Sequence, residues 1–359
     1  MSRKLTYAKA GVDRKLRAES KRALKTLNET YKFSIHGKVV KLPYGSIFPL
    51  SKNQYLDLVI EGIGTKVLVA QLAKKHDTIG IDGVAMAVND VIRSGAKPLA
   101  IADNIHAQVS NPTLVREWMK GIVKGATEAA CVVPSGEIGD VAELIKGLAE
   151  GTGVDMVVSA IGEVSSDRII SGKNVKPSDS ILGFQSSGLH SNGISLARKV
   201  LFKQWGGRYE LYDVPDGLDR EIVLEVLEPT RIYVKPLLKT AEELDVKAAV
   251  HITGDAYLKF DRLARFSKGI GFEFNNFKPQ PIFKLLQETA RQLGGYITDE
   301  EMFRTFNMGW GFAIIVDKKA ADEALDVLER TGVHSEQIGR VTSAKGIKIL
   351  HDKTKITLK

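Results

Sequence analysis

The stretch from His76 to Asn104, HDTIGIDGVAMAVNDVIRSGAKPLAIADN, constrains the fold more than any other. Val84, Ala87, Val88, Val91 and Ile92 recur at three- and four-residue spacing, the pattern of a helix with one buried stripe. Gly95 stands where a helix ends in a left-handed residue, and Pro98 follows as a stop signal. The pattern predicts a strand over Thr78–Ile81 closed by Asp82, then this helix, then a strand over Leu99–Ala102 closed by Asp103. Asn89 and Asp90 interrupt the apolar repeat in mid-helix, where neither is favoured. They follow Asp82 by seven and eight positions, close to two turns, so all three can share a side.

The same ending recurs. Leu56–Ile60 is an apolar run closed by Glu61, and Cys131–Val133 runs through Pro-Ser-Gly to Glu137. If these runs are strands of one sheet, Glu61, Asp82, Asp103 and Glu137 bring oxygen ligands to one region, with Asn89 and Asp90 between them. Hard cations such as Mg²⁺ take oxygen ligands and often share them with a substrate's phosphates. The plainer alternative is that Asp and Glu only cap helices and begin turns.

With 359 residues the chain has room for two domains, and 43% apolar with 26% charged residues is ordinary for a globular protein. No apolar span approaches transmembrane length, and Met1–Gly11 has no apolar signal core, so no membrane partner is expected. The single Cys131 rules out an internal disulfide, fits a reducing cytoplasm, and reads as a core thiol. The net charge of +8 is concentrated in residues 1–41, which hold twelve Lys/Arg against three Asp/Glu. Such an arm suits a phosphorylated substrate, nucleic acid or simply solvent, and nucleic acid is the weaker choice because no nucleic-acid motif accompanies it.

Along the chain, a basic helix is expected over Arg14–Leu27, and strand-turn-strand over Lys38–Leu50. After Glu61 comes Gly62-Ile63-Gly64-Thr65-Lys66, where two glycines admit an anion to the backbone and Lys66 adds a charge. Neither a P-loop spacing nor a G-x-G-x-x-G fingerprint is present, so a plain turn remains open there. Thr113–Ala130 reads as a second amphipathic helix with Leu114, Trp118, Ile122 and Val123 inward, and Asp155–Glu163 as a strand. Val164–Asp179 turns to Ser, Lys, Gly and Pro and marks a domain boundary, giving 1–170 and 171–359. The second domain opens with a strand over Ser180–Gln185, a Gly/Ser loop through His190, Ser191, Asn192 and Gly193, and a helix from Ile194. Strand, loop and helix in that order form an anion-binding arrangement, because first-turn N–H groups are unpaired. His251, Thr253 and Gly254 close a further short apolar run, and Gly309 and Gly311 lead into a last one. Alternating helices and strands argue for layered α/β or α+β architecture.

Taken in order, YAKAGVD, EGIGTK, HDTIGIDGVAMAVNDV, SSGLHSNGISLARKVL, EPTRIYVK, HITG and EMFRTFNMGWG resemble the aminoimidazole ribonucleotide (AIR) synthetase family, the phosphoribosylformylglycinamidine cyclo-ligases of purine biosynthesis. The resemblance covers essentially the whole chain. It implies a two-domain α+β fold whose N-terminal sheets pair across a homodimer into a barrel, beside a C-terminal α/β domain. It implies ATP and Mg²⁺, which activate an amide oxygen as a phosphate ester before an internal amine closes the imidazole ring. Carried over, the metal positions are Glu61, Asp82, Asp90, Asp103 and Glu137, and the nucleotide positions are Gly62, Gly64, Thr65, Lys66, Asn89, Ser191 and Gly193. His190, Asn192 and Lys66 take the catalytic places. The departures lie nearby: Glu61 replaces the family's Asp, Ile138 follows Glu137 in place of Thr, Leu189 replaces Pro, and Asp255-Ala256 replace two glycines. They leave open a paralogous kinase or dehydratase of the same superfamily, or an inactive nucleotide-binding protein.

Overall fold

In the computed structural model, which describes residues 3–358, each half of the chain builds one large open sheet. The arm comes first, as β1 (Arg3–Lys4), α1 (Arg14–Ser20) and a 3-10 stretch over Lys21–Phe33. The expected basic helix is thus α-helical only to Ser20. No residue of Lys21–Phe33 is buried, so no packing face holds that segment in regular α geometry.

The first half contains β2 (Val40–Leu42), β3 (Gly45–Pro49), β4 (Gln54–Gly62), α2 (Lys66–Ala73), α3 (Asp77–Val91), β5 (Lys97–Ala107), α4 (Pro112–Ala129), β6 (Val132–Asp140) and β7 (Val154–Ser165). Its six strands run in the order β2-β3-β4-β7-β5-β6. The anticipated barrel is not formed. The sheet stays open with β2 and β6 as edges, and β6 carries Pro134, Gly136 and Gly139, residues suited to an edge. Val84, Ala87, Val88 and Val91 are buried as expected, but so is every residue of Thr78–Val91, so α3 is enclosed on all sides and shows no single stripe. Ile92 lies in the turn after it, which Gly95 ends at φ +83°.

One expected strand and two expected strand ends need correction. Thr78–Ile81 is the beginning of α3, because Gly80 lets α4 approach: a Cβ there would lie 2.4 Å from the Trp118 carbonyl oxygen. Asp82 therefore sits inside a helix, while Asp103 and Glu137 lie within β5 and β6, not at their ends. Only Glu61 stands next to the end of its strand. On α4, Trp118 and Ile122 face inward as expected, but Val123 is exposed.

The second half runs β8 (Ser180–Gln185), α5 (Ile194–Leu201), α6 (Ile222–Leu227), α7 (Val234–Glu243), β9 (Ala248–His251), α8 (Lys259–Ser267), β10 (Gly271–Phe274) and α9 (Pro281–Gln292). It continues with β11 (Gly295–Tyr296), α10 (Asp299–Thr305), β12 (Trp310–Val316), α11 (Ala321–Arg330), β13 (Ser335–Thr342), β14 (Gly346–His351) and β15 (Thr354–Leu358). Seven strands order as β15-β14-β10-β13-β8-β12-β9, with every residue of β12 buried. β11 instead pairs in parallel with β1, which clips the arm onto this half. Among the described residues, no helix is long and apolar enough to cross a membrane.

Candidate active site

A cavity of about 490 Å³ opens between the inner face of β4, the arm and the loops of the second half. β4 supplies its floor through period two. All of Asp57–Gly62 line the cavity, with Asp57, Val59 and Glu61 on the face toward α3 and Leu58 and Ile60 alternating with them on the opposite, exposed face. The arm supplies Tyr7, Arg17 and Lys21. It is held there by Arg14, whose guanidinium bonds Glu301 Oε1 at 3.1 Å, the Arg304 carbonyl at 2.9 Å and Thr305 Oγ1 at 2.6 Å.

Charges of both signs meet on one wall. Asp90 Oδ1 lies 2.8 Å from His251 Nδ1, and its Oδ2 lies 2.8 Å from Arg93 Nη2. Burial pushes the Asp90 carboxyl up, but Arg93, Lys259 and His251 outweigh it and hold the group well below the usual carboxylate range. Burial lowers His251 to about 4, so at neutral pH a neutral imidazole donates its Nδ1–H to the Asp90 carboxylate. Beside them, burial and then the Asp90 charge raise Glu61 to about 7. Burial lowers Lys259 to about 8. Arg262, also on the wall, lies 3.5 Å from Asp255.

The Asp90 charge helps to raise Glu61, so the two carboxyls face one another on this wall, and two carboxylates so placed suit a divalent cation. No cluster of three or more His, Cys, Asp or Glu able to hold a metal exists among the described residues. Mg²⁺ needs no such cage when phosphate oxygens and water complete its shell, so the pair fits that ion.

Of the residues singled out in the sequence, Glu61, Gly62, Ile63, Gly64, Asp90, Ser191, Asn192, Thr253, Gly254 and Asp255 line this cavity. The remaining site candidates do not. Lys66 is fully buried and paired with Asp82 at 2.8 Å, so neither is available to a ligand in the cavity. Asn89 uses both ends of its amide on the backbone of Arg231 and Tyr233. Thr65 Oγ1 bonds Ser195 Oγ at 2.9 Å. Gly193, at φ +74°, begins α5 under Phe306, where a Cβ would lie 2.1 Å from the ring. Asp103 and the exposed Glu137 sit on adjacent strands β5 and β6, away from the cavity.

His190 is 1% exposed and lies beneath the cavity wall, at φ +59°. Its Nε2 accepts from the Ser187 N–H at 3.1 Å, which leaves the proton on an Nδ1 without a partner. Burial, then the neighbouring His251, Lys66 and Arg231, hold its pKa well below the usual value, so it is neutral. Asn192 is the loop's contribution to the cavity. Its Oδ1 accepts from the Gly254 N–H at 2.7 Å, and its buried Nδ2 has no partner. Lys259, Arg262 and Asp57 escaped the sequence reading, whereas Arg17 and Lys21 belong to the basic arm it marked. Only Arg93, three residues after Asp90 on the same helix side, carried a spacing signal.

Residues 45–164 match the AIR synthase related protein, N-terminal domain, and residues 176–352 the corresponding C-terminal domain. A phosphoribosylformylglycinamidine cyclo-ligase of Pyrococcus horikoshii is 38% identical over 340 residues, covering 94% of this chain and 95% of the relative. Its Bacillus cereus counterpart is 34% identical over 347 residues, covering 95% and 96%. Among solved structures, E. coli HypE aligns with a TM-score of 0.58 at 17% identity, covering 85% of each chain. T. maritima PurL complexed with FGAR aligns at 0.58 and 14%, over 91% of this chain and 47% of PurL, so the chain spans just under half of that protein. At those identities the two structures speak for the fold alone. Matched in both halves, and more than one-third identical to a relative along nearly its whole length, the chain belongs to the phosphoribosylformylglycinamidine cyclo-ligase family of AIR synthase related proteins.

Proposed function

We propose that the cavity is where this ATP-dependent ligase closes the imidazole ring of formylglycinamidine ribonucleotide, giving aminoimidazole ribonucleotide, ADP and phosphate. One observation carries the reading: in a chain 38% identical to a cyclo-ligase, the Ser191-Asn192 loop and the Glu61–Asp90 pair face a single cavity. Phosphoryl transfer depends mostly on positioning and charge stabilisation, and the wall residues suit both tasks. Arg17, Lys21, Lys259 and Arg262 are cations placed to hold phosphate groups. The free Nδ2 of Asn192 donates to the amide oxygen as it takes up phosphate. When the internal amine then attacks, the C–O bond breaks, phosphate leaves with its oxygen, and the amine proton passes to solvent or a nearby base. His190 acts behind the wall, holding the Ser187 end of the loop. Glu61 and Asp90 would hold Mg²⁺, which supplies charge neutralisation for the phosphates when bound. Asp82, Asp103 and Glu137 have no part in that assignment.

The division into domains 1–170 and 171–359 belongs to the same proposal, supported by the absence of any strand pairing between the two large sheets. So does a homodimer. Leu58 and Ile60 are 60% and 67% exposed on the outer face of the first sheet, an apolar surface suited to a second copy. A cytoplasmic location accords with the single, unpaired Cys131.

The test is a product assay on the purified protein with formylglycinamidine ribonucleotide, ATP and Mg²⁺. AIR, ADP and phosphate should appear in equal amounts. ATP consumption without AIR, with phosphate carried to another acceptor, would replace the cyclo-ligase with a kinase or dehydratase.

A further inference from the structure

Two polar residues of α3 are fully buried yet do not line the cavity, and both bind the segment that crosses from the second half. Asn89 donates to the Arg231 carbonyl and accepts from the Tyr233 N–H, each at 2.8 Å. Asp82 Oδ1 accepts from the Thr230 N–H at 2.8 Å, from Thr230 Oγ1 at 2.7 Å and from Ser191 Oγ at 3.0 Å. Lys66 Nζ donates to the same Asp82 Oδ1 at 3.0 Å, lies 2.8 Å from Oδ2, and donates to the Glu228 carbonyl at 2.6 Å. A continuous hydrogen-bonded path thus joins the start of α2, the middle of α3, the 228–230 turn and Ser191. Ser191 precedes Asn192 on the cavity wall.

A buried ion pair contributes little net stability, because desolvation offsets most of its attraction, and apolar residues of similar volume often replace such pairs without loss. What an apolar pair cannot supply is an acceptor for three donors. We propose that Lys66 and Asp82 are positioning residues. Asp82 Oδ1 fixes Ser191 and Thr230, and thereby holds the Asn192 donor where ring closure needs it, while Lys66 keeps the carboxylate oriented. The proposal rests on the cyclo-ligase reading of the cavity, and a loss of position of about 1 Å is enough to cost on the order of 100-fold in rate.

The experiment compares two double variants of the full chain. K66M/D82N removes both charges and keeps an acceptor at position 82, whereas K66M/D82L removes both charges and the acceptor. We expect K66M/D82L to remain folded and lose about 10- to 100-fold in kcat, with KM for ATP changed less than about twofold. K66M/D82N should stay within about fivefold of wild type. Hydrogen exchange should quicken at the amides of Ser187–Gly193 in K66M/D82L and not in K66M/D82N. Should K66M/D82L not fold, T230V, which removes one of the three donors, should show the same split on a smaller scale. Wild-type kcat in K66M/D82L, unchanged exchange in that loop, a parallel rise in KM for ATP, or equal inactivity of both doubles would each overturn the proposal. Failure of the wild-type protein to form AIR would instead refute the cyclo-ligase reading, and the exchange comparison would still decide the role of the pair.

Discussion

Asp255 and Ala256 show what a substitution costs at the scale of one residue. They stand where the family has glycines, and they adopt φ of +72° and +41°, backbone that L residues rarely occupy. Asp255 offsets some of that strain through Arg14 at 3.6 Å and Arg262 at 3.5 Å, which ties the arm to the cavity rim. Asp57 gives a sharper test. Burial raises its carboxyl to about 6, above the 3.8 of a free side chain. A raised carboxyl stabilises the fold fully below the unfolded pKa and loses that contribution as pH climbs through the folded one. Wild-type protein should therefore lose on the order of 2 kcal/mol of stability between pH 4 and 7 on this account, and Asp57→Asn should flatten the decline. Melting curves of both proteins across that range measure it, and parallel curves would remove Asp57 as the source. Spacing of seven residues put Asp82 and Asn89 where both meet the segment 230–233, whereas Asp90, one position further on, lies on the cavity wall. Their partners were not legible, since Thr230 and His251 lie 148 and 161 residues away in sequence.

At the scale of elements, β4, β7, β8 and α4 lie close to where periodicity places them, and the failures share a cause. Thr-Ile-Gly-Ile reads as strand by local preference, but the close approach of α3 and α4 at Gly80 and Gly121 makes it helix. Periodicity reports which face is buried and is silent about what covers it. The arm is a similar case. Its surplus of Lys/Arg was plain, yet only contact with the second half, through β1–β11 pairing and Arg14, brings Arg17 and Lys21 onto the cavity wall. Burial, then the neighbouring Arg262 and Arg17, lowers the pKa of Lys21. Arg17→Gln with Lys21→Gln should raise KM for the phosphorylated substrates about 5- to 50-fold, reduce its dependence on ionic strength, and leave the melting temperature nearly unchanged. Kinetics at several salt concentrations check this. An unchanged KM would make the arm's charge a solvated surface feature.

At the scale of the molecule, the two halves meet where the turn after α3 packs on β9 and where α3 bonds the segment 230–233, and the cavity lies beside β4 and the arm. The exposed outer face of the first sheet belongs to the same level: Leu58→Glu with Ile60→Glu should convert a dimer to monomers in sedimentation experiments, and a wild-type monomer would dispose of the dimer. The resemblance to a known family indicated two halves and their chemistry, whereas the closed barrel it implied is absent from the chain. Everything in the functional account depends on the wall built around Asp90. The most direct test is AIR formation by Asp90→Asn beside wild type, with the melting temperature of each recorded with ATP, in Mg²⁺ and in EDTA. The account predicts that wild type forms AIR and gains its ATP stabilisation only with Mg²⁺. The folded variant should lose that gain and at least about 100-fold in kcat. A folded Asp90→Asn protein that forms AIR at the wild-type rate, or a wild-type protein stabilised equally by ATP in EDTA, would contradict it.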